Sequence, residues 1–171
     1  YGVQFRFDGK IHNIKNLDYY DAIVISSGVG STALAKTVDD TLDVYPVKGY
    51  SITITANDVK SYEAMPKVSL LDDQAKIVTS TLGNRFRVAG TAELTGENYD
   101  IRRDRIQPLL DWVHTNFPDI NSHDYSQWAC LRPMTPDMMP IVQQSKRNPK
   151  VFYHTGHGHL GWTLSPATAE Q

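Results

Sequence analysis

Apolar residues fall along this chain in three rhythms. Between Asp21 and Ser27 they form an unbroken run, Ala22-Ile23-Val24-Ile25, which predicts a strand buried in a parallel sheet. A short helix is predicted to follow from Ser31 to Lys36, capped by its serine. From Val44 the rhythm alternates. Tyr50, Ile52 and Ile54 share one face against Ser51, Thr53 and Thr55, the pattern of a half-exposed antiparallel strand. Further strands are expected at Lys67 to Leu71, Ala75 to Thr81 and Arg85 to Thr91, with Ile52, Ile54, Val68, Leu70, Ile77 and Val88 forming the covered face. Arg102 to Phe117 then takes helical spacing: Ile106, Leu109, Leu110, Val113 and Phe117 lie on one stripe, and Pro118 closes the helix. Val151 to Thr155 reads as a strand leading into a glycine-rich loop, with a helix beginning near Leu160.

This order predicts a mixed α/β (α+β) architecture in two parts. Residues 1–44 and 128–171 belong to an α/β domain, and residues 45–127 form an antiparallel-sheet domain with one helix. A chain that leaves one domain and returns places its crossing segments at the interface, where small-molecule sites tend to form. Arg132 follows the return crossing. No internal repeat or low-complexity tract interrupts the pattern.

Composition narrows the function. The 17 basic and 19 acidic residues give a net charge of -2 with no basic run, which argues against nucleic acid as a partner, because phosphate binding needs clustered Lys and Arg. The single cysteine, Cys130, cannot close an internal disulfide and fits a reducing compartment. No apolar run approaches the roughly 18 residues of a membrane span, and no signal peptide is recognised at the start.

Two C-terminal motifs carry the candidate chemistry. In Trp128-Ala129-Cys130-Leu131-Arg132-Pro133-Met134-Thr135-Pro136-Asp137 an arginine sits among apolar residues, which implies partial burial. A buried guanidinium needs a partner, and its planar fork suits a carboxylate. An internal salt bridge satisfies the same need. In Thr155-Gly156-His157-Gly158-His159-Leu160-Gly161-Trp162-Thr163, three glycines in seven positions allow sharp turns and close approach of a ligand. A plain strand-to-helix turn is the simpler reading of such a loop. His154, His157 and His159 lack the helical or paired spacing of a metal site, so no metal is expected. Tyr45 and Tyr50 fit either a core or a site, and Glu93 fits a site residue or, more simply, a rim charge on a sheet.

These motifs resemble the flavin-dependent D-amino acid oxidase and dehydrogenase superfamily, and within it the bacterial D-amino acid dehydrogenase small subunits. The resemblance extends through Arg87-Val88-Ala89-Gly90-Thr91-Ala92-Glu93-Leu94-Thr95-Gly96, Tyr45-Pro46-Val47-Lys48-Gly49-Tyr50-Ser51 and Asp21-Ala22-Ile23-Val24-Ile25-Ser26-Ser27-Gly28, in the family's order. It implies part of an FAD-binding Rossmann-like domain together with an antiparallel-sheet substrate domain. Arg132 and Tyr50 would then be catalytic and substrate-binding residues, joined by His157 on the substrate. Gly28, Gly156, His157, Gly158, His159, Leu160 and Gly161 would line FAD.

The implied reaction is oxidation of the amine-bearing carbon of a D-amino acid, giving a 2-oxo acid and ammonia. A quinone or other respiratory-chain acceptor is the implied electron partner, in the cytoplasm or peripherally on the inner face of the membrane. A glycine or sarcosine oxidase, a non-catalytic binding module and a functionless product remain the alternatives. The family opens with a strand, a G-x-G-x-x-G turn and a helix, and no such turn is expected in this chain. Gly28-Val29-Gly30-Ser31 has two of the glycines but no third at the right spacing. The chain is therefore expected to be a C-terminal piece of a longer enzyme, with the remainder of the FAD-binding domain as its partner. The stretches Val3 to Phe7 and Lys10 to Ile14 resemble a strand pair that precedes the Ala22 strand.

Overall fold

The structure, a computed structural model, describes residues 2–170. The chain divides into two compact units, residues 1–45 with 133–171, and residues 46–132.

The first unit is built on a three-stranded sheet. β1 (Ile23–Ile25) runs parallel to β8 (Val151–Thr155), with Ile23 opposite Val151, and β8 pairs antiparallel with β7 (Ile141–Gln144). Helix α1 (Ser31–Lys36) covers one face, closing a core of Ile14, Ile23, Ile25, Ala35, Val38, Leu42, Val151 and Tyr153. The unbroken apolar run of β1 predicted burial on both faces. Instead Ile23 and Ile25 are buried while Val24 is 62% exposed, since the opposite sheet face, which also carries Phe152, is open to solvent. Ser31 is the first helical residue and not the cap. Its hydroxyl donates to Thr155 Oγ1 at 3.0 Å, and Gly30 takes the cap position without a side-chain bond.

The strand pair expected at residues 3–14 is not formed. Residues 3–13 are irregular, with Val3, Phe5 and Phe7 exposed, and no neighbouring strand supplies ladder partners among the described residues. Only Ile14 sinks into the core, at the start of a 3-10 turn over Ile14–Leu17 that Asn13 caps.

The second unit is a five-stranded sheet with α3 (Arg103–Asn116) packed on one face. The strand order is β3 (Leu71–Asp72), β4 (Ile77–Leu82), β5 (Arg85–Glu93), β2 (Tyr45–Thr55) and β6 (Tyr125–Met134), which runs on beyond the unit's last residue. Ile52, Ile54, Ile77 and Val88 meet Ile106, Leu109, Leu110 and Val113 of α3 in the core, and Phe117 packs against its edge. At 25 cal/mol per Å², each fully buried aliphatic of this kind contributes roughly 1.5–3 kcal/mol. Of the expected strand at 67–71 only Leu71 is in a strand, β3, so Val68 is exposed and Leu70 only half-buried. Ser51, placed on the exposed face by its alternation, is buried.

Three elements went unpredicted. α2 (Val59–Ala64) is a single turn and a half, started by Asp58, which accepts a hydrogen bond from the Ser61 N-H at 2.7 Å. β7 is a short edge strand next to Pro140. β6 contains Pro133, which reads as a strand breaker, but at a sheet edge the missing N-H can face outward without loss.

Candidate active site

β6 places Arg132. Leu131 turns into the core, so Arg132 points to the other face of the sheet, along with Trp128 and Cys130 at two-residue spacing. The guanidinium is half-buried, and burial lowers its pKa from the ordinary arginine value, although an arginine remains charged. Nη1 donates to the Thr91 carbonyl at 3.0 Å. Among the described residues no carboxylate forms an ion pair with it, so the internal salt bridge that would account for this arginine is absent. Most of the guanidinium's five donors are left for another acceptor. Trp128 is half-exposed, with the Arg87 guanidinium 5.0 Å from its ring centre.

Gly49 lets the arginine come this close. A Cβ on Gly49 would fall inside the guanidinium, so the side chain lies directly on the β2 backbone. Across from Gly49 the ladder is irregular: Lys48 pairs with Glu93 but Tyr50 with Gly90, leaving one extra residue on β5. The extra residue is accommodated at Thr91, whose φ of 68° is a left-handed conformation rarely taken by a β-branched residue. Such a conformation costs on the order of 1–3 kcal/mol and persists only where its surroundings fix it. The Thr91 carbonyl is the one that receives Arg132.

The opposite face of β2 holds Tyr50. It is 1% exposed and belongs to the core, and its hydroxyl donates to Glu93 Oε2 at 2.6 Å. Tyr50 and Arg132 therefore project to opposite sides of β2 and are not brought into contact. Burial and the neighbouring carboxylate raise the phenol's pKa. Glu93, expected as a rim charge, is a buried hub: Lys48 bonds Oε2 at 3.2 Å, and Arg102 and Arg105 bond Oε1 at 3.1 and 3.2 Å. The Tyr50 hydrogen bond, followed by Lys48 and Arg105, holds its carboxyl at about 2. Nothing in the order of residues announced this hub, because Lys48, Tyr50 and Glu93 meet only across a ladder.

In the first unit the two C-terminal motifs do come together. A Cβ on Gly156 would sit 2.8 Å from the Thr135 methyl, and one on Gly158 2.7 Å from Met134 Sδ. Both glycines have positive φ, 76° and 58°, and the Gly158 N-H donates to the Pro133 carbonyl at 3.0 Å. Gly28, also at positive φ, follows the carboxyl end of β1 as Gly156 follows that of the parallel strand β8. Hydroxyls tie these two ends: Ser31 donates to Thr155, and Thr155 donates to the Gly28 carbonyl at 3.2 Å. In open α/β sheets the carboxyl ends of parallel strands are where ligands bind.

Past the loop, α4 (Gly161–Ala169) begins at Leu160 with no side-chain cap, leaving its first N-H groups unsatisfied by side chains. His159, Leu160 and Trp162 are exposed there. His157 is half-buried, and its pKa is lowered by burial and by the adjacent His154. The Nε2 atoms of both histidines meet Thr168 Oγ1, at 3.1 Å from His157 and 2.9 Å from His154, and Thr168 itself donates to Leu164 O. Sequence reasoning missed Thr168. It also missed that Gly156-His157-Gly158-His159-Leu160-Gly161 has the G-x-G-x-x-G spacing, after a strand and before a helix. Among the described residues no group of three or more His, Cys, Asp or Glu side chains is placed to hold a metal.

One unit thus carries a glycine rim at parallel strand ends, and the other a half-buried arginine with no ion-pair partner among the described residues. The chain belongs to the FAD-dependent oxidoreductase family, whose profile matches residues 1–171. It is 48% identical to D-amino acid dehydrogenase 3 of Mesorhizobium japonicum, over 98% of this chain and 44% of that protein. It is 41% identical to a D-amino acid dehydrogenase of Dechloromonas aromatica, over 87% of this chain and 35% of that protein. Among solved structures, glycine oxidase from Geobacillus kaustophilus superposes with a TM-score of 0.74 at 26% identity, covering 87% of this chain and 39% of that one. The chain thus spans less than half the length of these relatives. No helix among the described residues is long and apolar enough to cross a membrane.

Proposed function

We propose that this chain is the part of an FAD-dependent D-amino acid dehydrogenase that receives the substrate carboxylate and the flavin ring. The observation that carries the reading is Arg132, a half-buried guanidinium with no ion-pair partner among the described residues. Its remaining donors suit a carboxylate held in two parallel hydrogen bonds. The relatives' shared name supports an amino acid of D configuration.

The loop around Gly156, His157, Gly158, His159, Leu160 and Gly161, with Gly28 beside it, fits a flavin: the backbone is bare and the uncapped start of α4 offers the positive end of a helix. FAD, when bound, supplies the oxidant, taking two electrons and the hydrogen on the amine-bearing carbon. Arg132 fixes the carboxylate and so the orientation of that carbon. With FAD bound, the uncapped N-H groups at the start of α4 would offer donors that favour negative charge near them. His157 has its pKa lowered by burial and by His154; because the Thr168 hydroxyl donates to Leu164 O, His157 Nε2 is the donor to Thr168, and Nδ1 is left to accept a hydrogen bond. Tyr50 serves from the far side of β2 by anchoring Glu93 and Lys48. The imino acid that forms is hydrolysed by water to a 2-oxo acid and ammonia.

The dehydrogenase name supports an acceptor other than oxygen, such as a quinone, reached from the cytoplasmic face of the membrane. Paired assays of the complete flavoenzyme with D- and L-alanine and an artificial quinone test the reading. D-alanine should drive quinone reduction and L-alanine should not. Equal rates for both enantiomers, or turnover of glycine with oxygen alone, would overturn it.

A further inference from the structure

The oddest backbone in the second unit lies beside Arg132. Thr91 holds a left-handed φ in the middle of a ladder, locked on either side by the Glu93–Lys48 and Gly90–Tyr50 pairs. A regular ladder would turn the Thr91 carbonyl along the strand-pairing direction, whereas here it accepts Arg132 Nη1 at 3.0 Å. Opposite, Gly49 presents bare backbone where any Cβ would collide with Nη1, Nη2 and Cζ of the same guanidinium. Two independent features, a strained carbonyl and a missing side chain, thus converge on one cation.

We propose that Gly49 and the Thr91 bulge form a preformed seat that fixes the Arg132 guanidinium, and with it the position in which a ligand carboxylate is received. The inference rests on Arg132 as the carboxylate anchor. Gly49 and Thr91 are positioning residues, acting through Arg132. A long side chain free to swing would have to be ordered each time a ligand binds, and holding it in place removes that cost. The seat takes one N-H through Thr91 and holds the group against the β2 backbone, leaving its other donors for a ligand.

The test uses the complete flavoenzyme. Gly49→Ala adds one methyl at a site whose crowding atom is the tip of a flexible side chain, so the fold should survive and the guanidinium should move. A crystal structure of the variant should show Arg132 displaced, and KM for D-alanine should rise at least tenfold while kcat changes less. Displacement with unchanged KM would uphold the seat and refute Arg132 as the carboxylate anchor. An undisplaced guanidinium would overturn the seat.

Thr91 supplies the second arm. Thr91→Gly keeps the carbonyl and takes a positive φ freely, so melting temperature should rise with KM unchanged. Thr91→Pro, whose ring fixes φ near -65°, should unmake the bulge and raise KM as Gly49→Ala does. A raised KM for Thr91→Gly, or an unaltered KM for a folded Thr91→Pro, would show that the bulge does not hold the arginine.

Discussion

Single atoms decide much of this site. At Gly158 a methyl group would meet Met134 Sδ at 2.7 Å on a backbone already at φ 58°, whereas at Gly30 the nearest side-chain atom lies 3.7 Å away and φ is ordinary. Gly158→Ala should therefore cost on the order of 1–3 kcal/mol, read as a lower urea midpoint, and Gly30→Ala should stay within about 0.5 kcal/mol of the parent. Equal effects would mean that the loop does not dock on Met134. At this scale the sequence was half legible. An arginine among Trp128, Leu131 and Pro133 announced a half-buried cation, and three close glycines announced a bare loop. That Gly156 and Gly158 pack on Thr135 and Met134 was not legible, because the contact joins segments more than 20 positions apart. Glu93 shows the same limit: one residue in an exposed-looking run becomes the buried partner of Lys48, Tyr50, Arg102 and Arg105 only through strand register.

Elements were legible where their rhythm was long. α3 and the β4 and β5 strands follow their hydrophobic periods closely, each burying one face against a common core, whereas β2 is buried on both faces around Ser51. The β1 run misled, because an apolar stretch of four reads alike whether one face or both is covered. β6 hid behind its proline. The Glu93 hub links β2, β5 and the start of α3, and its acid sensitivity has a definite sign. The carboxyl sits at about 2 in the folded chain against an ordinary 4.5, so its stabilising contribution is complete above pH 4.5 and lost as pH falls toward 2. Glu93→Gln should lower the urea midpoint at pH 6, and the gap from the parent should narrow as pH drops below 4.5 and close only near pH 2. A gap that persists at low pH would assign the loss to packing instead of charge.

For the whole molecule, the division of labour is the central matter: one unit contributes a glycine rim at parallel strand ends, the other an arginine seated on an antiparallel sheet. If that division is right, substrate capture and flavin retention are separable. The direct measurement is anaerobic reduction of the flavin by D-alanine in the complete enzyme, followed by visible absorbance for the parent and for Arg132→Ala. Losing the partner of a desolvated carboxylate costs about 3–5 kcal/mol, which at 1.4 kcal/mol per decade is roughly a hundredfold to several-thousandfold. The variant should carry a normal complement of flavin with an unaltered oxidised spectrum, yet need at least about a hundredfold more D-alanine for half-reduction. Half-reduction at the parent's D-alanine concentration, or a variant that no longer retains flavin, would contradict the assignment of Arg132 to the substrate carboxylate.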